Sequence, residues 1–404
     1  MKTTIGVFFG GRSTEHEISI LSANQAMHAI DRDVYDVIPV YIAKDGLWYT
    51  GYDLFDIMSY RNLPALLKRC KRVYMRAERG DFNLYTVRKP WFGSGIVATL
   101  DVALPVLHGM NGEDGTFQGV LDTIGLPYAG CDTLASANGM DKITMKMILS
   151  SQGIPVVNYV WFTDKQWVAT HDSLIERVET ELTYPVIVKP SNLGSSIGIS
   201  KAANRDELDT AVAEACKYAS RIIVERMVQD MQEINCSVLG DCDDYETSVL
   251  EEPITADDFL TFEEKYGGGG GKKGAKGMAA SLKKFPADLP EDITKRIQFL
   301  AGETFRVLSC HGVSRVDVMI EGTTGEIFVN EINTIPGSLS FYLWDNLGKG
   351  IDFTRLIDRL VKLALKRAAD RERKVLSFDS NVLSMAGGAK GMKGVKGTKG
   401  AKRQ

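Results

Sequence analysis

The stretch SRVDVMIEGTTGEIFVNEIN, from Ser314 to Asn333, constrains the fold more than any other segment. Two apolar, β-branched runs flank a turn spanning Gly322 to Gly325, which predicts a β-hairpin. Residues two apart in a strand share a face. Arg315 and Asp317 therefore share one face of the first strand and Glu331 and Asn333 one face of the second, while Phe328 and Ile332 look the other way. If the two polar faces coincide, Asp317, Glu331 and Asn333 form an all-oxygen set of the kind Mg²⁺ prefers. Arg315 would stand beside them to meet phosphoryl charge. The alternative is a solvated hairpin face with a surface ion pair.

The whole chain sets the bounds within which this hairpin works. Its 404 residues, 44% apolar and with a net charge of -4, suit two or three globular domains and exclude a disordered chain. No apolar run approaches the roughly 20 residues of a membrane helix, and the start MKTTIGVFFGG does not read as a secretory signal. A cytoplasmic protein without membrane contact is expected. Cys70, Cys131, Cys216, Cys236, Cys242 and Cys310 are scattered without a CxxC pair, which argues against a disulfide framework or a zinc site.

The fold class read along the chain is α/β. TTIGVFFGG is a strand ending in paired glycines, and RSTEHEISILSANQAMHAI follows with helical spacing, Thr14 and Glu17 standing as a capping box. With the strands VYDVIPVYIAKDGLWY and VALPVLHG this predicts a mainly parallel domain over residues 1–130. A second unit, residues 131–228, holds one helix through LASANGMDKITMKMILSSQG, stopped by Gly153 and Pro155. It continues with the strand YPVIVKP, a glycine-serine loop, a helix from Arg205 to Tyr218 and the strand RIIVERMV. A third unit, residues 229–382, contains EINCSVLGD, a long loop, the helix EDITKRIQFLAGETFRVL and the hairpin. Residues 263–285 are expected to form a mobile lid. The Lys-Gly-rich residues 383–404 cannot bury enough apolar area to fold and are expected to be disordered.

Three further segments carry chemistry. KPSNLGSSIG places Lys189 before a loop rich in backbone N–H and hydroxyl donors, suited to cover phosphates, although it lacks the Walker order. MDKITMK offers Lys142 and VERM offers Glu225. Taken singly, each is an ordinary surface charge. Their order resembles the ATP-grasp superfamily, whose members hold ATP between two α+β units and join a carboxylate to an amine through an acyl phosphate. FFGGRSTEHEISI, LPVLHGMNGEDGTFQGVLDTIGLPYAGCD, MDKITMKMIL, KPSNLGSSIGIS, EEKY, SRVDVMI and NEINTIPG narrow the resemblance to the D-alanine:D-alanine ligases, over residues 3–370. The fold so implied is an N-terminal doubly wound-like domain followed by two ATP-grasp subdomains.

What the resemblance implies can be placed residue by residue. Glu15 anchors the ammonium of the first D-alanine, the plain alternative being that it complements a helix dipole. Ser195 links Glu15 to Tyr266 of the lid, Arg315 completes this catalytic group, and His108 lies near the second substrate. Lys142, Lys189 and Ser196 meet the ATP phosphates, with Asn330 close by, and Lys265 reaches the γ-phosphate on closure. Glu225, Arg226, Met227 and Val228 resemble the adenine hinge, and Glu233 the ribose-binding carboxylate. Asp317, Glu331 and Asn333 hold two Mg²⁺ or Mn²⁺ ions.

Two departures stand out. Where the family has a serine for the acceptor's carboxylate, this chain has Tyr342, so Tyr342, Ser338 or Ser340 takes that task beside Gly337 and Leu343. The loop after Tyr266 is also richer in glycine and lysine than is usual. The implied activity is ATP-dependent synthesis of D-alanyl-D-alanine for peptidoglycan, by a homodimer that binds ATP and D-alanine and no nucleic acid. One alternative is D-serine or D-lactate as acceptor. Another is an inactive scaffold binding polyanions through the basic tail, which the acidic balance of the chain disfavours.

Overall fold

The N-terminal apolar run forms β1 (Thr3–Gly10), buried from Ile5 onward as befits a strand covered on both faces. This computed structural model describes residues 2–88, 91–194, 197–253, 283–345, 350–375 and 377. Lys366–Gln404 is a unit of its own, described only for the end of a helix reaching Glu372 and for residues 373–375 and 377. Residues 263–282 of the expected lid and all of the expected tail lie outside the described residues.

β1 pairs in parallel with β2 (Tyr35–Ile42) and β7 (Val102–Val106). The helix α1 (His16–Ala29) supplies the crossover from β1 to β2. The expectation of a mainly parallel sheet is corrected here. β3 (Trp48–Thr50), β4 (Lys71–Tyr74), β5 (Asn83–Thr86) and β6 (Ile96–Thr99) extend the sheet as antiparallel neighbours, in the order β6-β5-β4-β3-β2-β1-β7. The connections between β4, β5 and β6 are too short for crossover helices, so the chain turns back on itself. Helix α2 (Leu63–Arg69) packs on this sheet through Leu66, and α3 (Thr116–Ile124) through Phe117 and Leu121.

The expected capping box is also absent. Helix α1 starts at His16 with Glu15 in the cap position and no side-chain cap, and Glu17 instead pairs with Lys44 at 2.6 Å. The His16 ring fixes this entry by bridging the Gly11 carbonyl at 2.6 Å and the Tyr41 hydroxyl at 2.9 Å.

The single helix expected around MDKITMK is two, α4 (Thr133–Met140) and α5 (Lys142–Ser151). Asp141 breaks the run, its carboxylate accepting from the Thr144 N–H at 2.8 Å and pairing with Arg221 at 2.8 Å. A second, antiparallel sheet follows, with β8 (Tyr159–Thr163), β9 (Val186–Pro190), β10 (Ser200–Ala202) and β11 (Arg221–Arg226) in the order β10-β9-β11-β8. Its core side carries α6 (Asp164–Ala169), α7 (His171–Glu181) and α8 (Arg205–Ala215) through Phe162, Val178, Leu208 and Val212.

The third sheet holds β12 (Gln232–Gly240), β13 (Tyr245–Pro253), β14 (Lys283–Lys284), β15 (Gly312–Ile320) and β16 (Ile327–Asn333), in the order β14-β13-β12-β15-β16. Helix α9 (Glu291–Val307) seats Ile297, Leu300 and Phe305 against Val316, Val318 and Val329 on one face. The chain then runs through α10 (Phe341–Asp345) into α11 (Phe353–Glu372), whose Leu356, Leu360 and Val361 join the core of the first sheet.

The expected hairpin is β15 and β16, with one change. Asp317 faces Glu331 but Val318 faces Val329, so Asn330 is an extra residue in β16. One inserted residue resets the alternation. Phe328 therefore lies opposite Met319 and packs with Val157 and Val228, whereas Ile332 stays with Val329 in the core. Phe328 and Ile332 do not share a face, contrary to the plain period of two.

Candidate active site

The hairpin brings its polar residues together as the spacing implied. The Arg315 guanidinium donates to both Asp317 oxygens, at 2.6 and 2.7 Å, and the Asn333 amide donates to Asp317 Oδ2 at 3.0 Å. Asp317 is 3% exposed, which excludes the solvated-face alternative. Burial works against the Arg315 charge, but the adjacent Asp317 outweighs it and raises its pKa well above the ordinary value. Among the described residues no group of three or more His, Cys, Asp or Glu has metal-binding geometry; the set here is two carboxylates and a carboxamide. The strand registers extend it sideways into a cross-strand row, Glu251, Asn235, Asp317 and Glu331. Glu251 and Asn235 went unnoticed in the sequence, because a row across strands exists only once register is known.

Lys142 reaches into this group from the start of α5. Its ammonium lies 2.9 Å from Glu331 Oε2 and donates to the Leu193 carbonyl at 2.8 Å. Lys189, at the end of β9, contacts Glu225 Oε2 at 2.7 Å and donates to Asn330 Oδ1 at 3.3 Å. The bulge thus serves to turn Asn330 toward Lys189. Glu225 also faces Lys146 at 3.1 Å. Burial would raise its pKa, but Lys146 and Lys189 overcome that and push it down to about 2. The Glu225 carboxylate is therefore committed to lysines, and any contact with a base falls to its main chain. Lys146 was missed, although its i+4 spacing from Lys142 was there to be read.

The residues after Glu225 lead into a small apolar cluster. Arg226 turns aside to Glu321, at 2.6 and 3.1 Å, and the Met227 N–H donates to the Pro185 carbonyl at 3.3 Å. Val228 packs with Val157, Met319 and Phe328. Glu233 stands opposite Met319 across β12 and β15, half-buried beside this cluster.

Glu15 is 8% exposed and wedged between two loops. A Cβ on Gly109 would lie 2.5 Å from its Oε2, and one on Gly194 3.4 Å away. The first-sheet loop and the glycine-serine loop thus meet at this carboxylate. Ser195, Ser196, Lys265 and Tyr266 lie outside the described residues.

His108 and Glu113 hold the segment after the hairpin. His108 Nδ1 contacts the Ile335 carbonyl at 2.8 Å and Nε2 the Ser22 hydroxyl at 2.9 Å, while Ser22 accepts from the Ser338 N–H at 3.0 Å. Burial lowers the His108 pKa to about 4 against the pull of the Ile335 carbonyl, so the ring is neutral near pH 7. Glu113 accepts from the Ile335 and Gly109 N–H groups, each at 2.9 Å. Burial, then the charge of Glu15, raise its pKa.

The turn that begins at Gly337 is strained. Ser338, Leu339 and Ser340 have φ of 50, 53 and 50°, a left-handed conformation that costs a non-glycine residue on the order of 1 kcal/mol or more. The Ser338 hydroxyl donates to Gln25 Oε1 at 2.6 Å and the Tyr342 hydroxyl to Glu251 Oε2 at 2.8 Å. Both hydroxyl protons are already placed. Ser340 Oγ is buried with no hydrogen-bond partner among the described residues, and Leu343 is wholly buried.

The family model for the D-ala D-ala ligase N-terminus matches residues 4–131, and that for the D-ala D-ala ligase C-terminus matches residues 148–362. The D-alanine--D-alanine ligase of Thermosipho melanesiensis is 39% identical over 386 residues, spanning 95% of this chain and 99% of its own. Among solved structures, the D-alanine-D-alanine ligase from Coxiella burnetii aligns with a TM-score of 0.75 at 27% identity, over 92% of this chain and 96% of its own. The VanG D-Ala:D-Ser ligase from Enterococcus faecalis aligns with a TM-score of 0.74 at 32% identity, over 90% of this chain and 100% of its own.

Proposed function

The chain belongs to the D-alanine–D-alanine ligase family, and on that premise we propose that it joins two D-alanines at the expense of ATP, through a D-alanyl phosphate, to supply peptidoglycan precursors. It is an ATP-dependent ligase of the ATP-grasp fold. The observation that carries the reading is the meeting of Arg315, Glu331 and the buried Asp317 and Lys142, drawn from two hairpin strands and a separate helix.

The adenine packs on the apolar cluster of Val157, Val228, Met319 and Phe328, with Glu233 at the ribose and the main chain of Glu225 to Val228 at its edge. Lys142 and Lys189 turn from their carboxylates to the phosphates, joined by Ser196 and Lys265. Asn330 steadies Lys189. The hard-oxygen set Asp317, Glu331 and Asn333 fits two Mg²⁺ or Mn²⁺ ions, which when bound offset the charge of the phosphates. Glu15 holds the ammonium of the first D-alanine, linked through Ser195 to Tyr266. The carboxylate of that D-alanine forms a C–O–P bond as the bond from the γ-phosphorus to ADP breaks, and Arg315 meets the transferring phosphoryl group.

The acceptor amine then attacks the acyl carbon, phosphate leaves, and the amine loses a proton. Gly337, Ser338, Ser340, Tyr342 and Leu343 shape the acceptor's end, and His108 orients their turn through Ser22. We place the three units at residues 1–130, 131–228 and 229–382, and assign the protein to the cytoplasm as a homodimer. Among the described residues no helix is long and apolar enough to cross a membrane. The test is mass spectrometry of the products formed from ATP with D-alanine in the presence of D-serine and D-lactate. D-Alanyl-D-alanine should dominate, and a major mixed product would overturn the acceptor assignment.

A further inference from the structure

Lys146 stands one helical turn beyond Lys142 on α5, and its side chain is 0% exposed. Its ammonium lies 3.1 Å from Glu225 Oε1, while Lys189 holds the other oxygen, Oε2, at 2.7 Å. Lys189 also donates to Asn330 on the hairpin, so it borders the space where the nucleotide is proposed to lie. Lys146 has no exposed surface with which to touch a ligand. Glu225 itself is 2% exposed, and a carboxylate so buried is costly unless a cation stays with it.

We propose that Lys146 is a positioning residue for nucleotide binding: it remains on Glu225 as a fixed counter-ion, which frees Lys189 to move to a nucleotide phosphate. This rests on the ATP reading above and extends it to a residue that touches no substrate. Without Lys146, Glu225 keeps a stronger hold on Lys189, and a phosphate has to compete with a buried carboxylate for it. The electrostatics agree. Burial and the charges of Lys189 and Lys142 lower the Lys146 pKa, and Glu225 is the group that opposes them.

The test measures binding of a non-hydrolysable ATP analogue with Mg²⁺, and separately of adenosine, to the full-length protein by calorimetry. Lys146→Met should weaken the analogue tenfold or more and leave adenosine, which carries no phosphate, within about twofold. Lys146→Arg should restore most of the loss. The double variant K146M/E225Q should bind the analogue more tightly than K146M alone, because the carboxylate that ties down Lys189 is gone. Unchanged analogue binding in K146M, an equal loss for adenosine, or a double variant no better than K146M would each overturn the proposal. Should K146M fail to fold, the comparison of K146M/E225Q with E225Q decides: equal analogue affinity supports it, and a tenfold deficit overturns it. A wild-type protein that binds neither analogue nor adenosine would overturn the ATP reading itself, a distinct result.

Discussion

Lys142 Nζ and Glu331 Oε2 lie 2.9 Å apart, tying the start of α5 to the end of β16. The proposed phosphate ligand and a proposed metal ligand thus hold one another. On the proposed reading, opening this pair would exchange one counter-charge for another: the lysine would gain a phosphate and the carboxylate a cation. Neither charge is stranded in a buried site, which is the costly alternative.

Glu331→Gln keeps the shape of this site and removes one charge. Turnover should fall by several hundredfold or more, on the order of 4 kcal/mol of transition-state stabilisation, with little effect on folding. The Lys142 pKa, raised because Glu331 outweighs burial, should come down with it. ADP release measured across a Mg²⁺ titration checks this. Near-normal activity at low Mg²⁺ would remove the metal assignment.

His108 should leave a mark on acid stability. The unfolded histidine takes up a proton near pH 6.5, the folded ring only near about 4. Its folded pKa is depressed, so the unfolded state binds the extra proton, and stability declines as the pH falls through that window. The slope is roughly 1.4 kcal/mol per pH unit for one proton. His108→Gln removes this contribution, so its stability deficit should shrink between pH 7 and 4.5 in denaturant titrations. A constant deficit would count against a buried neutral ring.

Gly109 has φ of 69°, and a Cβ there would meet Glu15 Oε2 at 2.5 Å and Ser13 Oγ at 2.7 Å. Gly109→Ala should cost about 1 to 3 kcal/mol of stability and displace the Glu15 carboxylate. The KM for the first D-alanine should rise at least tenfold while affinity for an ATP analogue holds. Steady-state kinetics over both substrates separates these. A rise confined to ATP would show that Glu15 does not serve the amino acid.

At the proposed acceptor end, Ser340 keeps a hydroxyl without a hydrogen-bond partner among the described residues, whereas the Tyr342 hydroxyl donates to Glu251. Ser340→Ala should therefore raise the acceptor KM several-fold. Tyr342→Phe removes a donor from buried Glu251, which should lower stability by about 1 kcal/mol or more and change the acceptor KM less. Kinetics with the second site unsaturated, beside thermal unfolding, measure both. The reverse ranking of KM effects would return the acceptor carboxylate to Tyr342.

Much of the site was legible because its rules are local. A period of two put Asp317 on one face of its strand and Glu331 and Asn333 on one face of theirs, and the strand pattern marked Lys189 before the glycine-serine loop. Such patterns depend on neighbouring residues, whose chemistry the sequence states directly. The bulge at Asn330, which turns Phe328 toward Met319, depends on pairing with β15 and left no sign in composition. The break at Asp141 was hidden because apolar spacing continues through it, and Arg221 lies far along the chain.

The tertiary structure alone decided which buried charges meet. Glu225 read as part of a hinge, and packing gave its carboxylate to Lys146 and Lys189. Tyr342 and Ser338 read as candidate acceptor ligands, and packing aimed their hydroxyl donors at Glu251 and Gln25. The sequence by itself determined the local elements and the residue types at the site, since backbone periodicity and side-chain chemistry are properties of short stretches. Partners were decided by the fold, because a buried polar group must be satisfied by whatever the packing of distant segments brings within about 3 Å.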